Sequence, residues 1–141
     1  MKTEIVYFSK TGHSKKIAQA IAAELHLNER DIKTKPELSG ADLLFVVGGI
    51  YGGASDPAML EYVKGIGPDK AKKAALVTSC CGGKAKQDKV RELLANNGVE
   101  VIADEFVCRG NFLVVGLGHP DKNEIAAAAA FAKKIVDSAE R

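Results

Sequence analysis

Ile5-Val6-Tyr7-Phe8-Ser9-Lys10-Thr11-Gly12-His13-Ser14 is the stretch on which the reading of this chain turns. Its apolar start, without polar alternation, suits a strand covered on both faces. From Ser14 to Leu25 the pattern changes: Ile17, Ile21 and Leu25 recur at intervals of four with Ala18 and Ala22 beside them, the stripe of a helix packed on a sheet. Small hydroxyl residues and one glycine therefore sit where a helix begins. The first N–H groups of a helix have no intrahelical acceptor and its macrodipole is positive there, so amides and hydroxyls can hold a phosphate. The same residue types also make an ordinary turn and helix cap, so the rest of the chain has to decide between the two. A Walker loop needs GxxxxGK followed by Ser or Thr, and a dinucleotide loop needs GxGxxG after the first strand; neither is present. Gly116-Leu117-Gly118 imitates the second but runs into His119-Pro120 without a third glycine.

Short apolar runs alternate with helical patterns along the whole chain, the sign of a parallel sheet with helices on its faces. Five strands are predicted, at Ile5 to Phe8, Asp31 to Thr34, Leu43 to Gly48, Ala74 to Ser79 and Val99 to Val107. A second helix starts at Asp56-Pro57, where aspartate can cap and proline can take the first helical position, and buries Leu60 and Val63. A third holds Val90, Leu93 and Leu94 and stops at Asn97-Gly98, a left-handed terminus. The last begins at Asp121 with Glu124 three residues on, a capping-box spacing, and presents Ile125, Ala128, Ala129, Ala132, Ile135 and Val136. Between strands two and three lie only Lys35 to Asp42, so any helix there shrinks to about one turn near Pro36-Glu37-Leu38.

At 141 residues and 46% hydrophobic, the chain has the length and apolar content of one domain spanning residues 1–141. Its 20 basic and 18 acidic residues are interspersed and leave a formal charge of +2, which offers no basic stripe for nucleic acid and no polybasic membrane anchor. The first strand starts so early that no signal peptide is expected, and no apolar run approaches the roughly 20 residues of a spanning helix, so a cytoplasmic location is expected. Cys80, Cys81 and Cys108 lack the paired spacing of a zinc site and are read as reduced thiols. Neither His26 nor His119 has a visible Ser, Asp or Glu partner, so no triad or metal site is indicated.

In an open parallel sheet, ligands bind beyond the carboxyl ends of the strands, where the strand order reverses. After strand three comes Gly48-Gly49-Ile50-Tyr51-Gly52-Gly53-Ala54-Ser55-Asp56, and after strand four Thr78-Ser79-Cys80-Cys81-Gly82-Gly83. Glycine allows close backbone approach, so such loops can lie against a flat ring and offer N–H and C=O groups to its edge. Each loop alone also reads as a tight strand-to-helix turn; it is their coincidence with Ser9 to Ser14 that points to one crevice.

On these residues the chain resembles the flavodoxin family, short-chain type, over its whole length. The first loop matches that family's (S/T)xTGx(S/T) phosphate loop at Ser9, Thr11, Gly12 and Ser14. The resemblance implies an α/β fold, a three-layer αβα sandwich with a five-stranded parallel sheet of order 2-1-3-4-5. It implies FMN as cofactor, with its phosphate among Ser9, Lys10, Thr11, Gly12, His13 and Ser14. Gly49, Ile50, Tyr51, Gly52 and Gly53 would take one side of the isoalloxazine, and Ser79, Cys80, Cys81, Gly82 and Gly83 the other side or the pyrimidine edge. Gly53 or Gly52 resembles the glycine whose carbonyl turns toward the flavin on reduction, and Tyr51 either stacks on the ring or packs under the loop.

The implied function is low-potential electron transfer between a reductase and an acceptor enzyme. The alternatives are an FMN-dependent oxidoreductase, of quinone reductase or oxidase type, acting on an organic substrate, and a flavin-free interaction module. Two departures from the family matter. There is no tryptophan, and Cys80-Cys81 stand where an aromatic is usual; Lys84, Lys86 and Lys89 follow in place of acidic residues. Lys84 and Lys86 should favour an anionic reduced flavin and make its second one-electron potential less negative than in acidic flavodoxins.

Overall fold

A computed structural model describes residues 1–51, 53–80, 85–108 and 122–140. In chain order these form β1 (Thr3–Tyr7), α1 (His13–Leu25), β2 (Glu29–Asp31), a 3₁₀ turn (Ile32–Thr34), β3 (Ala41–Tyr51) and β4 (Ala54–Ser55). Then follow α2 (Pro57–Lys64), β5 (Ala71–Cys80), α3 (Asp88–Asn96), β6 (Glu100–Val101), β7 (Phe106–Cys108) and α4 (Lys122–Ala139). The sheet runs β2-β1-β3-β5, with β6 and β7 both paired to the far side of β5 and all of these pairings parallel. Counting β6 and β7 as one interrupted strand, this is the expected 2-1-3-4-5 order. β4 is an addition, folded back antiparallel on the end of β3.

Unbroken apolar strands face two cores at once. Ile5, Tyr7, Leu43, Phe45, Val47, Ala75 and Val77 point to the layer of α1 and α4, where Ile17, Ile21, Ala128, Ala132 and Ile135 meet them. Val6, Phe8, Leu44, Val46, Ala74 and Leu76 point the other way, to Met59, Val63, Val90 and Leu94 on α2 and α3. Successive strand residues alternate between the faces, so an all-apolar run is what a sheet covered on both sides requires.

The helix ends follow their local chemistry. Asp56 caps α2 through Oδ1, which accepts the Ala58 N–H at 2.9 Å, with Pro57 in the first turn. α2 buries Met59 and Val63, and Leu60 is only half-buried, which corrects the expected pair. α3 ends through Asn97 to Gly98 at φ +93°. Asn97 Nδ2 reaches the carbonyls of Val63, Lys64 and Ile66 at 3.3, 3.0 and 3.0 Å, tying the ends of α2 and α3 together. Asp121, the expected cap of α4, lies outside the described residues.

Two predicted strands are drawn differently. The second occupies Glu29–Asp31 rather than Asp31 to Thr34, because the Asp31 carboxylate accepts the Lys33 N–H at 2.9 Å and turns Ile32–Thr34 into a 3₁₀ coil. The one helical turn of this connection is therefore there and not at Pro36-Glu37-Leu38, whose Pro36 carbonyl instead accepts the Tyr62 hydroxyl at 2.7 Å. The last strand is split. Ile102 donates to Ala74 O at 2.8 Å, Ala103 and Asp104 swing out to solvent, and Glu105 turns inward before β7 resumes the pairing.

Candidate functional site

The carboxyl ends of β3, β5 and β7 stand together, and β1 ends two residues short of them. Tyr7 is in register with Val47, Gly49 with Ser79, and Ser79 with Cys108. β3 and β5 extend further than the sequence pattern suggested, to Tyr51 and Cys80, so Gly49, Ile50, Tyr51, Ser79 and Cys80 belong to strand ends rather than to loops. Tyr51 pairs with Ala54 across a tight turn containing Gly53 at φ +86°, a conformation that favours glycine. Ile50 and Ser79 are buried and Cys80 is half-buried. Gly52, Cys81, Gly82, Gly83 and Lys84 lie outside the described residues.

Between β1 and α1, Ser9 Oγ accepts the Gly12 N–H at 2.8 Å, and Gly12 adopts φ +91° at the helix cap. No side chain caps α1, so the hydroxyls of this segment are not used up as a helix stop. The Ser14 hydroxyl is buried on the first turn, with 1% of the residue exposed, and makes no hydrogen bond of ordinary geometry. Thr11 Oγ1 lies 2.5 Å from His13 Nδ1. Burial, and secondarily the charge of Lys16, lowers the His13 pKa below its usual 6.5, which keeps the ring neutral at neutral pH.

The second strand end leans onto this segment. Tyr51 Oη accepts the Lys10 N–H at 3.0 Å, and Lys10 Nζ stands 5.5 Å from the Tyr51 ring centroid and 4.0 Å from Asp56 Oδ2. Burial raises the Tyr51 pKa, with a small contribution from Asp56. The Lys10 amide and the Ser14 and Thr11 hydroxyls, close enough to favour the phenolate, oppose that rise. Tyr51 is thus turned toward the segment between β1 and α1.

Below these ends lies a polar cluster that sequence reasoning missed. The Glu105 carboxylate, fully buried, accepts the Thr78 hydroxyl at 2.5 Å, the Gln87 N–H at 2.8 Å and Arg91 Nη2 at 3.2 Å. Gln87 is also fully buried, and its Nε2 donates to Val46 O, Val77 O and Thr78 Oγ1 at 3.3, 3.0 and 3.1 Å. Gln87 Oε1 has no partner and faces Gly48, where an added Cβ would lie 2.7 Å from it. A lone acid before Phe106-Val107 was the available signal, but only tertiary pairing reveals its partners.

The residues present fit a phosphate-bearing ligand at the first loop. Ser14 offers a buried hydroxyl that makes no hydrogen bond of ordinary geometry, and a Cβ built on Gly12 would meet nothing within 4 Å, so the backbone there is open to close approach. Gly53 is equally open. The thiols have a different character: Cys80 and Cys108 are in no disulfide, and burial pushes the Cys108 thiol up to about 12, with Glu124 adding to the effect. That makes it an inert packing group. A separate cavity of about 550 Å³ opens between Ile32–Leu38 and α2, floored by Leu38 and Ile66; it contains none of the strand-end residues. Among the described residues no cluster of His, Cys, Asp and Glu could hold a metal, and no helix is long and apolar enough to cross a membrane.

A parallel 2-1-3-4-5 sheet between two helical layers, with a hydroxyl-rich loop after its first strand, defines a flavodoxin-like α/β protein. The chain belongs to the flavodoxin family: the model of the flavodoxin domain matches residues 4–138. Among solved structures it resembles a short-chain flavodoxin associated with a non-canonical PDU bacterial microcompartment, at 17% identity, TM-score 0.74 and 99% coverage of both chains. Oxidised Flavodoxin 2 from Bacillus cereus aligns at 15% identity and TM-score 0.73, covering 98% of this chain and 99% of that one. The NAD(P)H:quinone oxidoreductase from Methanothermobacter marburgensis aligns at 14% identity and TM-score 0.63, covering 95% and 98%. No curated protein matches the chain in sequence.

Proposed function

We propose that this chain binds FMN at the carboxyl ends of β1, β3 and β5 and carries single electrons between a reductase and an acceptor enzyme in the cytoplasm. The observation behind this reading is the buried Ser14 hydroxyl at the start of α1, which makes no hydrogen bond of ordinary geometry and lies beside Tyr51 at the end of β3. Ser9, Lys10, Thr11, Gly12, His13 and Ser14 hold the phosphate through amides and hydroxyls, with His13 neutral. Gly49 to Gly53 and Ser79 to Gly83 flank the ring system. Bound FMN supplies reversible one- and two-electron chemistry; the polypeptide binds it, orients it and sets its potential. Titration of the purified protein with FMN and with riboflavin, followed by visible absorption, tests the reading. Preference for FMN is expected, and failure to take up FMN at high micromolar concentration ends it.

Lys86 is exposed on the connection between β5 and α3, and Lys84 precedes it in sequence. Their charge favours an anionic reduced flavin, so the second one-electron potential is expected to be less negative than in acidic flavodoxins. A spectroelectrochemical titration of the holoprotein checks this, and K86E should move the potential downward; an unchanged potential in K86E removes the lysine from the account.

The fold shared with a quinone oxidoreductase, and cysteines in place of an aromatic on the third strand end, favour a second reading as an FMN-dependent oxidoreductase with an open ring face. Accumulation of one-electron-reduced flavin on photoreduction supports the carrier. Rapid two-electron turnover with NAD(P)H and a quinone supports the enzyme.

A further inference from the structure

Tyr51 stands on the donors that an anion would use. Its hydroxyl accepts the Lys10 N–H at 3.0 Å and lies beside the Ser14 and Thr11 hydroxyls. Two features of the surroundings hold it there. Lys10 Nζ reaches over the ring, at 5.5 Å from its centroid. Gly49 leaves room for the ring: an added Cβ would come within 2.6 Å of both Tyr51 Cζ and Oη.

The buried Ser14 hydroxyl, without a partner of ordinary geometry, shows that the phenol only partly satisfies this cradle. A phenol is a neutral acceptor on one donor. A phosphate monoester brings several charged oxygens, whose hydrogen bonds to amide and hydroxyl are stronger than those of a neutral acceptor.

We propose that Tyr51 is a built-in competitor for the anion cradle, a specificity-determining residue whose hydroxyl holds the Lys10 amide until a phosphate group displaces it. The inference rests on the FMN reading for its biological ligand, though not for its chemistry. A flavin without a phosphate has nothing to exchange for the phenol and leaves it in place. FMN exchanges one neutral acceptor for a charged one and releases the ring. Tyr51 thus makes release of its own side chain conditional on the phosphate, at a cost of one hydrogen bond in FMN affinity.

Two variants remove the competitor by different routes. Y51F deletes the hydroxyl and keeps an aromatic ring. G49A leaves the hydroxyl but places a methyl group against the far end of the ring, which must shift. Affinity for inorganic phosphate, and separately for FMN and riboflavin, is measured by titration calorimetry on the whole chain. With inorganic phosphate, which does not absorb there, near-ultraviolet difference spectra follow Tyr51, because the chain has no tryptophan and only three tyrosines. Of the others, Tyr62 is bonded to Pro36 and Tyr7 is buried in the core.

In the wild type, inorganic phosphate should perturb the tyrosine spectrum, and an unperturbed spectrum at saturating phosphate counts against displacement of the phenol. Y51F should bind phosphate and FMN roughly three- to tenfold tighter, the value of one net hydrogen bond, with riboflavin unchanged. G49A should shift the same way, and the double variant should gain no more than the better single one. Unchanged or weaker phosphate binding in Y51F overturns the proposal, as does absence of phosphate binding by both proteins. Should G49A not fold by circular dichroism, Y51F alone decides. Failure of FMN to develop a bound visible spectrum counts against the cofactor reading, while the phosphate arm still judges Tyr51.

Discussion

Gly48 and Gly49 are neighbours on β3, yet each opens on a different kind of region. A methyl group on Gly48 would strike Gln87 Oε1 at 2.7 Å and Met59 Cε at 3.2 Å; one on Gly49 would strike only the tip of Tyr51. Below the strand ends, Thr78 and Gln87 are buried with the Glu105 carboxylate, and Arg91 closes the network from its half-buried outer side. Above them, exposed Lys10 and Thr11 and half-buried Tyr51 gather round the buried Ser14 hydroxyl in a cluster open to solvent on one side, where one acceptor can be traded for another. The lesson is that polar groups a few residues apart can be fixed or exchangeable according to burial, since an unmade bond in the interior costs far more than one at the surface.

The largest effect should come from breaking the buried network. E105A strips the acceptor from Thr78, the Gln87 amide and Arg91 at once and should destabilise the protein by about 3 kcal/mol, as removal of one member of a buried ion pair does. Chemical denaturation measures it; a loss below about 1 kcal/mol would mean that the cluster is not fixed. G48A should cost roughly 1–3 kcal/mol, because Gln87 is held by three bonds and cannot move aside. G49A, which meets a flexible ring tip, should cost clearly less in the same denaturation series, and equal costs would erase the contrast between the two regions.

A smaller effect tests burial through pH. The Cys108 thiol and the Tyr62 phenol are both raised to about 12 by burial, from ordinary values of 9.0 and 10.0. The unfolded chain therefore releases these protons first. Their contribution to stability is fully present below about pH 9 and is lost as pH rises toward 12. Thermal melts across this range should show a progressive fall that is shallower in C108A, and parallel curves for the two proteins would refute the assignment to Cys108.

Among the described residues, sequence periodicity located the four α-helices and every parallel strand of the sheet but the second, because a strand buried on both faces and a helix with one apolar stripe leave distinct patterns. What it misplaced were positions where a side chain competes with the backbone. Asp31 bends its own strand end into a turn, and Glu105 interrupts the last strand by pointing inward. The turn between β1 and α1 was legible from Ser9, Thr11, Gly12 and Ser14 because its contacts are local. The Lys10–Tyr51 contact spans 41 residues and the Gln87–Val46 contact another 41, and spacing alone carries no trace of either.

The brevity of the sheet's margins has its own consequence. One border strand is three residues long, and its Arg30 is ion-paired to Glu4 on the adjacent strand; among the described residues the opposite border is two fragments of two and three residues. Unsatisfied main-chain groups on a long, flat border are what let one molecule recruit the strand of another. Such stubs give an incoming chain little to grip, so recruitment of a second copy along these margins is disfavoured.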